Sequence, residues 1–264
     1  MNATASTGLR DLAVEVAREA AALVRERRER PVVVADTKSS SVDVVTEADR
    51  ASEELIHTLL AEARPDDAFL GEEGGSAEGT TGVRWVVDPI DGTVNFLYGL
   101  PQYAVSIAAE QDGVVVAGVV VNAATGVEYA AVLDHGSTCD GRPLTVRHTP
   151  PLSERLVITG FGYDASLRAV QAAAVARLLP VVRDIRRLGS CALDLCHLAE
   201  GAADAYLEEG VNLWDHAAAG LIAREAGAHT RMLPGAGGRE VLVAAPEAGF
   251  EEFLAAVTEA GFLA

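Results

Sequence analysis

The sequence predicts a mixed fold, α+β in its first half and α/β in its second. Two helical patterns come first, strand patterns separated by turn signals follow, and the last part alternates strands with helices. A chain of 264 residues that is 49% hydrophobic can bury a sizeable core in one large or two modest domains. We place a boundary in the segment RHTPPLSE, which divides the chain into parts 1–150 and 151–264.

The first half begins with two helices. Apolar residues from Leu9 to Val24 recur at helical spacing, and this helix ends in the charged stretch RERRER. The next segment, PVVVADTKSSSVDVVTEADR, holds a short apolar strand, a serine-rich loop around Lys38 and a helix start near Thr46. The second helix runs roughly to Ala63 and ends before Pro65.

Strands fill the remainder of the first half. AFLGEEGG (68–75) predicts a short strand that breaks into an acidic pair, and SAEGTTG (76–82) predicts a loop. In WVVDPIDGT, Pro89 should end the strand because proline has no amide hydrogen for the ladder. A meander of three strands follows, with turns at Asp112-Gly113 and Thr125-Gly126.

The second half alternates strands with helices. LVITG is a strand, a helix runs from about Ala165 to Leu179, VVRDIRR is a strand, and SCALDLCHLAEG is a helix. The strand DAYLEE, the helix WDHAAAGLIAREAG, the strand EVLVAA and a terminal helix complete the pattern, with PGAGG (234–238) as a loop. This alternation predicts an α/β layer.

Composition restricts the classes of partner. The net charge of −18 argues against nucleic-acid binding through a basic surface, and it would repel an anionic substrate unless metal ions reversed the field locally. The sequence shows neither a signal peptide nor an apolar run near the roughly 20 residues of a membrane span, so we expect a cytoplasmic protein. Cys139, Cys191 and Cys196 lack zinc or redox spacing, and we expect buried, reduced thiols.

Acidic residues stand at the ends of elements rather than on helix faces. Each has a structural explanation when it is taken alone. Asp49 can complete a capping box with Thr46, and Asp215 can favour the dipole at a helix start. Asp91 with Gly92 can form a turn, and Glu72 can be a solvated loop acid.

Asp88 and Asp91 together are harder to explain in structural terms. Two carboxylates a few ångströms apart repel each other, so one of them takes a proton unless a cation lies between them. An acidic site made only of oxygen ligands suits Mg²⁺ or Mn²⁺ rather than zinc. Two such ions about 4 Å apart would clamp a phosphate and activate a water. The carboxyl oxygens of a Mg²⁺ site should converge on points about 2.0–2.2 Å away.

Four motifs then occur in order. They are Asp43 to Asp49 (DVVTEAD), Gly71-Glu72-Glu73, Asp88 to Phe96 (DPIDGTVNF), and Trp214-Asp215 followed by Glu225-Ala226-Gly227. With these motifs the chain resembles the inositol monophosphatase family, within the lithium-sensitive, magnesium-dependent phosphatase superfamily, over roughly residues 9–260. The resemblance implies a layered α-β-α-β-α sandwich of the inositol monophosphatase and fructose-1,6-bisphosphatase type. It also implies a homodimer.

The resemblance implies two or three Mg²⁺ ions in each site. Glu72, Asp88 and the carbonyl of Ile90 would hold the first ion. Asp88, Asp91 and Asp215 would hold the second, and Glu72 would share a third and weaker one. The substrate would be a phosphate monoester, hydrolysed by a metal-activated water without a covalent intermediate.

The resemblance also implies catalytic roles for Asp49, Thr93 and Glu72. Thr93, hydrogen-bonded to Asp49, would orient the attacking water and help to deprotonate it. The backbone amides of Gly92 and Thr93, at the start of a short helix, would bind phosphate oxygens, which agrees with the anion affinity of helix N-termini. Lys38 matches a family position on a segment over the site.

The resemblance also implies that a second group of residues recognises the substrate. Glu208 matches a carboxylate that accepts hydrogen bonds from inositol hydroxyls, while Gly189, Ser190 and Cys191 match a loop that lines the same pocket. Asp91 and Asp215 would also contact the substrate. Cys191 stands where family members often carry a smaller residue, and the segment GSTCDGRPL departs from the usual pattern on what should be a surface turn.

The resemblance leaves several activities open. Inositol 1-phosphate is the leading substrate, since the segment VNF followed by GLP is similar to the inositol branch. Histidinol phosphate and broader sugar phosphates are alternatives, and fructose-bisphosphatase-like and phosphoadenosine phosphate phosphatases share the same aspartate core. A regulatory binding protein of the transcription machinery is an alternative of another class.

Overall fold

The computed structural model describes residues 3–38 and 44–264. The serine-rich stretch 39–43 predicted to form a loop, with Asp43 of the first motif, lies outside the described residues. Within the described residues, no helix combines the length and the apolar character needed to cross a membrane.

The first half of the chain runs from a long helix into a strand-rich region. In order, its elements are α1 (Ala3–Arg28), β1 (Val34–Thr37), β2 (Val44–Thr46), α2 (Glu47–Ala63), β3 (Ala68–Gly71), β4 (Ser76–Ala77), β5 (Val83–Asp91), α3 (Thr93–Tyr98), β6 (Ala104–Gln111), β7 (Val114–Asn122), β8 (Glu128–Val132), β9 (Ser137–Cys139) and β10 (Arg142–Pro143).

The second half alternates as predicted. Its elements are β11 (Leu156–Thr159), α4 (Ala165–Leu178), β12 (Asp184–Arg186), α5 (Cys191–Ala199), β13 (Ala205–Glu209), α6 (Leu213–Glu225), β14 (Ala228–Pro234), β15 (Glu240–Pro246) and α7 (Phe250–Ala260).

Two large sheets organise the described residues. Strands β3 to β10 form an eight-stranded sheet in the order β10-β9-β8-β7-β6-β5-β3-β4, in which β3 and β5 pair in parallel, while β1 and β2 form a separate antiparallel pair. The second half forms a five-stranded sheet in the order β12-β11-β13-β15-β14. Strand β11 pairs in parallel with both β12 and β13, whereas β15 is antiparallel to β13 and β14. The division into two parts near residue 150 stays a prediction.

Three apolar clusters stack these elements into five layers. Helices α1 and α2 pack on one face of the eight-stranded sheet. Helices α5 and α6 lie between the other face of that sheet and the five-stranded sheet. Helices α4 and α7 cover the outer face of the five-stranded sheet. The layered α-β-α-β-α sandwich is therefore confirmed, and the middle helices touch both sheets because they are apolar nearly all round.

The strand before the paired aspartates does not end at Pro89. Asp88 pairs with Ser106 and Asp91 pairs with Ala104, so β5 uses one residue more than β6 between these two pairs. Such a bulge leaves one residue outside the ladder, and proline is tolerated there because no ladder hydrogen bond is required of it. The prediction that Pro89 ends the strand was therefore wrong, and the bulge re-aims the two carboxylates that flank it.

Smaller differences concern short and edge strands. The segment predicted as a loop over 76–82 begins with β4, and β2 was not predicted because its three residues adjoin the helix start. Strand β14 was missed because AHTRMLP mixes polar and apolar residues, yet it pairs with β15 along seven residues. The turn at Asp112-Gly113 is confirmed, with φ of 51° and 86° at its two residues, as a type I′ hairpin requires.

Candidate active site

The site begins at the N-terminus of α2. Thr46 caps the helix, and its side chain and backbone amide both bond Asp49 Oδ2, at 2.5 and 2.8 Å. The predicted capping box is therefore present. The second oxygen of Asp49, Oδ1, accepts a hydrogen bond of 3.0 Å from Thr93 Oγ1, so the same carboxylate also meets the short helix α3.

The bulge of β5 delivers the next two carboxylates. Asp88 is 1% exposed, and its Oδ1 accepts a hydrogen bond from the Ile90 amide at 3.1 Å. Ser52 of α2 donates to the carbonyl of Pro89 at 3.1 Å, which fixes the bulge against that helix. The Ile90 carbonyl oxygen also lies 3.0 Å from Thr93 Oγ1, so the single hydroxyl hydrogen of Thr93 has two acceptors in reach, this oxygen and Asp49 Oδ1.

Gly92 turns the chain from the bulge into α3. Its φ is +91°, and a Cβ at this position would lie 2.7 Å from the carbonyl oxygen of Gln102. Both facts require glycine, because other residues resist positive φ and no space exists for a side chain. The turn places the start of α3, with Thr93, beside Asp88 and Asp91 along the same cleft.

Two side chains tie this turn to the middle helices. Asp91 Oδ2 accepts hydrogen bonds from Ser190 Oγ at 2.5 Å and from the Ala192 amide at 2.7 Å, both at the start of α5. Asn95 Nδ2 lies within hydrogen-bond distance of the carbonyls of Gln102, Leu188 and Gly189, at 2.8, 2.9 and 3.2 Å. The loop predicted to recognise substrate is therefore built directly onto the aspartate motif.

The remaining predicted ligands come from α6 and from the loop after β3. Asp215 lies in the first turn of α6 and accepts a 2.5 Å hydrogen bond from the Asn212 amide. Glu72 and Glu73 both bond Lys38 Nζ, at 2.8 and 2.6 Å.

Burial raises the pKa of the three aspartates of the cluster. For Asp88 and Asp215, the pKa lies well above the ordinary value, first because of burial and then because of neighbouring negative charges, Glu72 above all. Burial raises the pKa of Asp91 to about 7, although hydrogen bonds from Ser190 and Ala192 oppose the change. Without a bound cation, the negative charge of this cluster is therefore poorly compensated. This agrees with the expectation that two neighbouring aspartates repel each other.

The donor set fits a hard divalent cation. Glu72, Asp88, Asp91 and Asp215 supply only carboxylate oxygens, to which the Ile90 carbonyl adds one more, and all five residues line one cleft. Within residues 3–38 and 44–264, however, no three acidic, histidine or cysteine side chains are arranged as a closed set of ligands. The convergence expected of a Mg²⁺ site is therefore not seen among these side chains: Glu72 bonds Lys38, and Asp91 and Asp215 each accept a backbone hydrogen bond.

Predicted recognition residues line the same cleft. The cleft has a volume of about 380 Å³ and includes Gly189, Cys191 and Glu208. Tyr206 Oη lies 2.9 Å from Glu208 Oε2 and 3.1 Å from Cys191 Sγ. Burial raises the pKa of Glu208, while the nearby charge of Arg187 lowers it. Asp49 and Ser190 do not line the cleft themselves but support Thr93 and Asp91, which do.

Several residues of the site were not singled out from the sequence. Arg187 and Arg239 line the cleft, and Asn95 was noted only as part of the VNF segment. Ser52 and Glu53 face the site from α2. A signal for the last two existed, because positions three and four after Asp49 share its helix face. Nothing in the sequence pattern distinguished Arg187 from its neighbour Arg186.

The whole chain is similar to proteins of known family and structure. The sequence model of the inositol monophosphatase family matches residues 7–260. The chain is 45% identical over 256 residues to the inositol-1-monophosphatase SuhB of Mycobacterium tuberculosis, covering 90% of this chain and 88% of that protein. The solved structure of Mycobacterium tuberculosis SuhB superposes with a TM-score of 0.84 at 42% identity, covering 98% of each chain. The Nus factor SuhB of Pasteurella multocida is 38% identical over 219 residues, 82% of each chain.

Proposed function

Because the chain belongs to the inositol monophosphatase family and is a phosphoric monoester hydrolase, we propose that it hydrolyses inositol 1-phosphate to inositol and phosphate in a Mg²⁺-dependent reaction. One observation carries the proposal. A single cleft contains a carboxylate cluster, a threonine bonded to a buried aspartate, and the further carboxylate of Glu208. These are the groups needed for cations, for an attacking water and for a polyhydroxy alcohol.

The carboxylate cluster would hold the metal ions. Glu72, Asp88 and the carbonyl of Ile90 would supply one set of ligands, and Asp88, Asp91 and Asp215 a second. When bound, Mg²⁺ supplies positive charge that neutralises the phosphate and favours deprotonation of water. The formal charge of −18 makes this local neutralisation necessary for an anionic substrate.

Thr93 and Asp49 would handle the proton of the attacking water. Thr93 Oγ1 donates to Asp49 Oδ1, so its lone pairs can accept a hydrogen bond from a water in the cleft. Burial raises the pKa of Asp49 to about 6, against hydrogen bonds from Thr46 and Thr93 that lower it. A carboxylate with a pKa near neutrality is a suitable proton acceptor, and Thr93 would pass the proton to it.

The opposite ends of the substrate would meet different elements. The amides of Gly92 and Thr93 would donate to phosphate oxygens. Glu208 would accept hydrogen bonds from inositol hydroxyls, while Gly189 and Cys191 would form the adjoining wall. Because Asp91 bonds Ser190 and Ala192, the phosphate and alcohol subsites would keep a fixed separation.

The decisive experiment compares esters at equal Mg²⁺ concentration. Inositol 1-phosphate, histidinol phosphate, fructose 1,6-bisphosphate and phosphoadenosine phosphate are ranked by kcat/KM, with excess chelator as a control. We expect inositol 1-phosphate to rank first and chelator to abolish turnover. A tenfold preference for another ester would show that inositol 1-phosphate is not the preferred substrate. Full turnover in chelator would show that the reaction needs no metal.

A binding role is the second candidate. It is favoured by relatives such as those of Pasteurella multocida and Haemophilus influenzae, whose names are Nus factor SuhB. The strong acidity of this chain would suit a basic protein surface. A pull-down with Asp91→Asn as bait tests this role, since transcription proteins retained by the inactive variant would support binding independent of hydrolysis. Loss of all partners with a folded variant would count against it.

Two further properties are proposed from the family. Lithium should inhibit at submillimolar to millimolar concentration, which titration of the initial rate with LiCl against NaCl would test. The chain should form a homodimer, which sedimentation velocity over a tenfold concentration range would test.

A further inference from the structure

Glu53 of α2 is a buried carboxylate bonded to the loop that carries Glu72. It is 7% exposed, and both of its oxygens are used. Oε2 accepts a hydrogen bond from the Glu73 amide at 2.8 Å, and Oε1 accepts one from the Gly75 amide at 2.9 Å. Hydrogen bonds from backbone amides to an ionised carboxylate are among the stronger ones in proteins. One side chain therefore fixes the backbone on the C-terminal side of Glu72.

The glycines of the GEEGG stretch fit this carboxylate closely. A Cβ on Gly71 would lie 2.3 Å from Glu53 Oε2, and a Cβ on Gly75 would lie 2.6 Å from Oε1. The Gly71 amide also bonds the Gly75 carbonyl at 2.7 Å, which closes the loop around the carboxylate. The two glycines at the ends of the loop are therefore explained by the close approach of Glu53, not by the acids between them.

Three residues on one face of α2 reach three different parts of the site. Asp49, Ser52 and Glu53 are spaced i, i+3 and i+4, so their side chains project from the same face. Asp49 bonds Thr93, Ser52 bonds the carbonyl of Pro89, and Glu53 bonds the loop of Glu72. The helix thereby sets the positions of the water-orienting threonine, the aspartate bulge and the glutamate loop relative to one another.

We propose that Glu53 is a positioning residue for the metal site, because it fixes the backbone of the loop that brings Glu72 to the cleft shared with Asp88. The inference rests on the proposed function only through its metal ligands and is independent of the identity of the ester. Groups that orient metal ligands from outside the ligand set commonly change metal affinity by roughly 10–100-fold when they are replaced.

The test measures metal binding without substrate. Glu53→Gln keeps the size of the side chain, but its amide nitrogen cannot accept the second backbone hydrogen bond. Glu53→Asp keeps the charge but shortens the reach by one methylene. Glu54→Gln removes the same charge from the exposed neighbour and is the matched control. Mn²⁺ affinity of each folded protein is measured from the free-ion signal in electron paramagnetic resonance, with Asp91→Asn as a ligand control.

We expect Glu53→Gln and Glu53→Asp to bind Mn²⁺ roughly 10–100-fold more weakly than the wild type, and Glu54→Gln to match it. Affinity in Glu53→Gln equal to that in Glu54→Gln would overturn the role of Glu53. A wild-type affinity in Glu53→Asp would show that only charge matters and would overturn positioning. If the wild type and Asp91→Asn bind Mn²⁺ equally, the proposed metal site is wrong, and the role of Glu53 is wrong with it.

Hydrogen exchange gives a second measurement that needs no metal. In the wild type the amides of Glu73 and Gly75 should be protected, because both donate to Glu53. Glu53→Gln should lose protection at one or both amides, while α2 keeps its own. Unchanged protection at both amides would overturn the proposal even if the metal affinity fell.

Discussion

The buried carboxylate of Asp49 should give the free energy of unfolding a measurable pH dependence. Burial raises its pKa from 3.8 to about 6, despite three hydrogen bonds from Thr46 and Thr93. In the unfolded chain the group ionises near its ordinary value. Between these two values the folded state binds more protons than the unfolded state, so the free energy of unfolding falls as pH rises.

The size of the effect follows from the two pKa values. A difference of about two pH units corresponds to about 3 kcal/mol in total, present below pH 3.8 and lost by pH values above 6. Because the pI is near 4.6, solubility sets the practical lower limit at about pH 5. From pH 5 to pH 7.5 the Asp49 contribution should fall by about 1.4 kcal/mol.

The assay is urea denaturation in chelator at a series of pH values, for the wild type and for Asp49→Asn. Other buried acids contribute to both proteins, so the difference between their pH dependences isolates Asp49. We expect the wild type to lose about 1.4 kcal/mol more than the variant between pH 5 and pH 7.5. Asp66→Asn, at an exposed position, controls for the change of net charge. Parallel pH dependences in the wild type and Asp49→Asn would refute the reasoning.

Three other predictions concern a ligand, a thiol and a close contact. Asp215→Asn should lower turnover by about 100-fold or more with unchanged circular dichroism, and wild-type kinetics would contradict its assignment as a ligand. Burial raises the pKa of the Cys191 thiol well above its ordinary value, so iodoacetamide at pH 7.5 should label Cys191 slowly in the native protein and rapidly once urea unfolds the chain. Mass spectrometry would measure the labelling, and rapid labelling of the native protein would contradict the prediction. Gly118→Ala should destabilise the protein by about 1–3 kcal/mol in urea, because its Cβ would lie 2.7 Å from the carbonyl oxygen of Ala218. Gly8→Ala, in open space on α1, is the control and should stabilise slightly.

The sequence predicted the elements better than their local irregularities. Helix α2 was predictable at both ends because Thr46 and Asp49 form a capping box and Pro65 follows the helix. The bulge at Pro89 was not predictable, because it depends on the register of β6 rather than on the residues of β5.

Some residues of the candidate site were likewise predictable from the sequence, and others were not. The carboxylates and Thr93 were predicted because their motifs match the pattern of a known family, although Thr93 and Asp91 also have partners far away in sequence. Glu53, Asn95 and Arg187 were missed as site residues, because their partners lie 20 or more residues away in sequence or belong to other elements. Only tertiary structure brings those residues to the loops that they support.

The hydrogen bonds from Ser190 and Ala192 to Asp91 have a consequence for folding order. They join positions 99 and 101 residues apart, across the contact between the first sheet and the middle helices. A chain that had formed only its first sheet would present Asp88 and Asp91 without these donors and without Asp215. Contacts of such long sequence separation are costly in loop entropy and tend to form late. Catalytic competence should therefore be the last property that the folding chain acquires, which makes recovery of turnover a stricter measure of refolding than recovery of secondary structure.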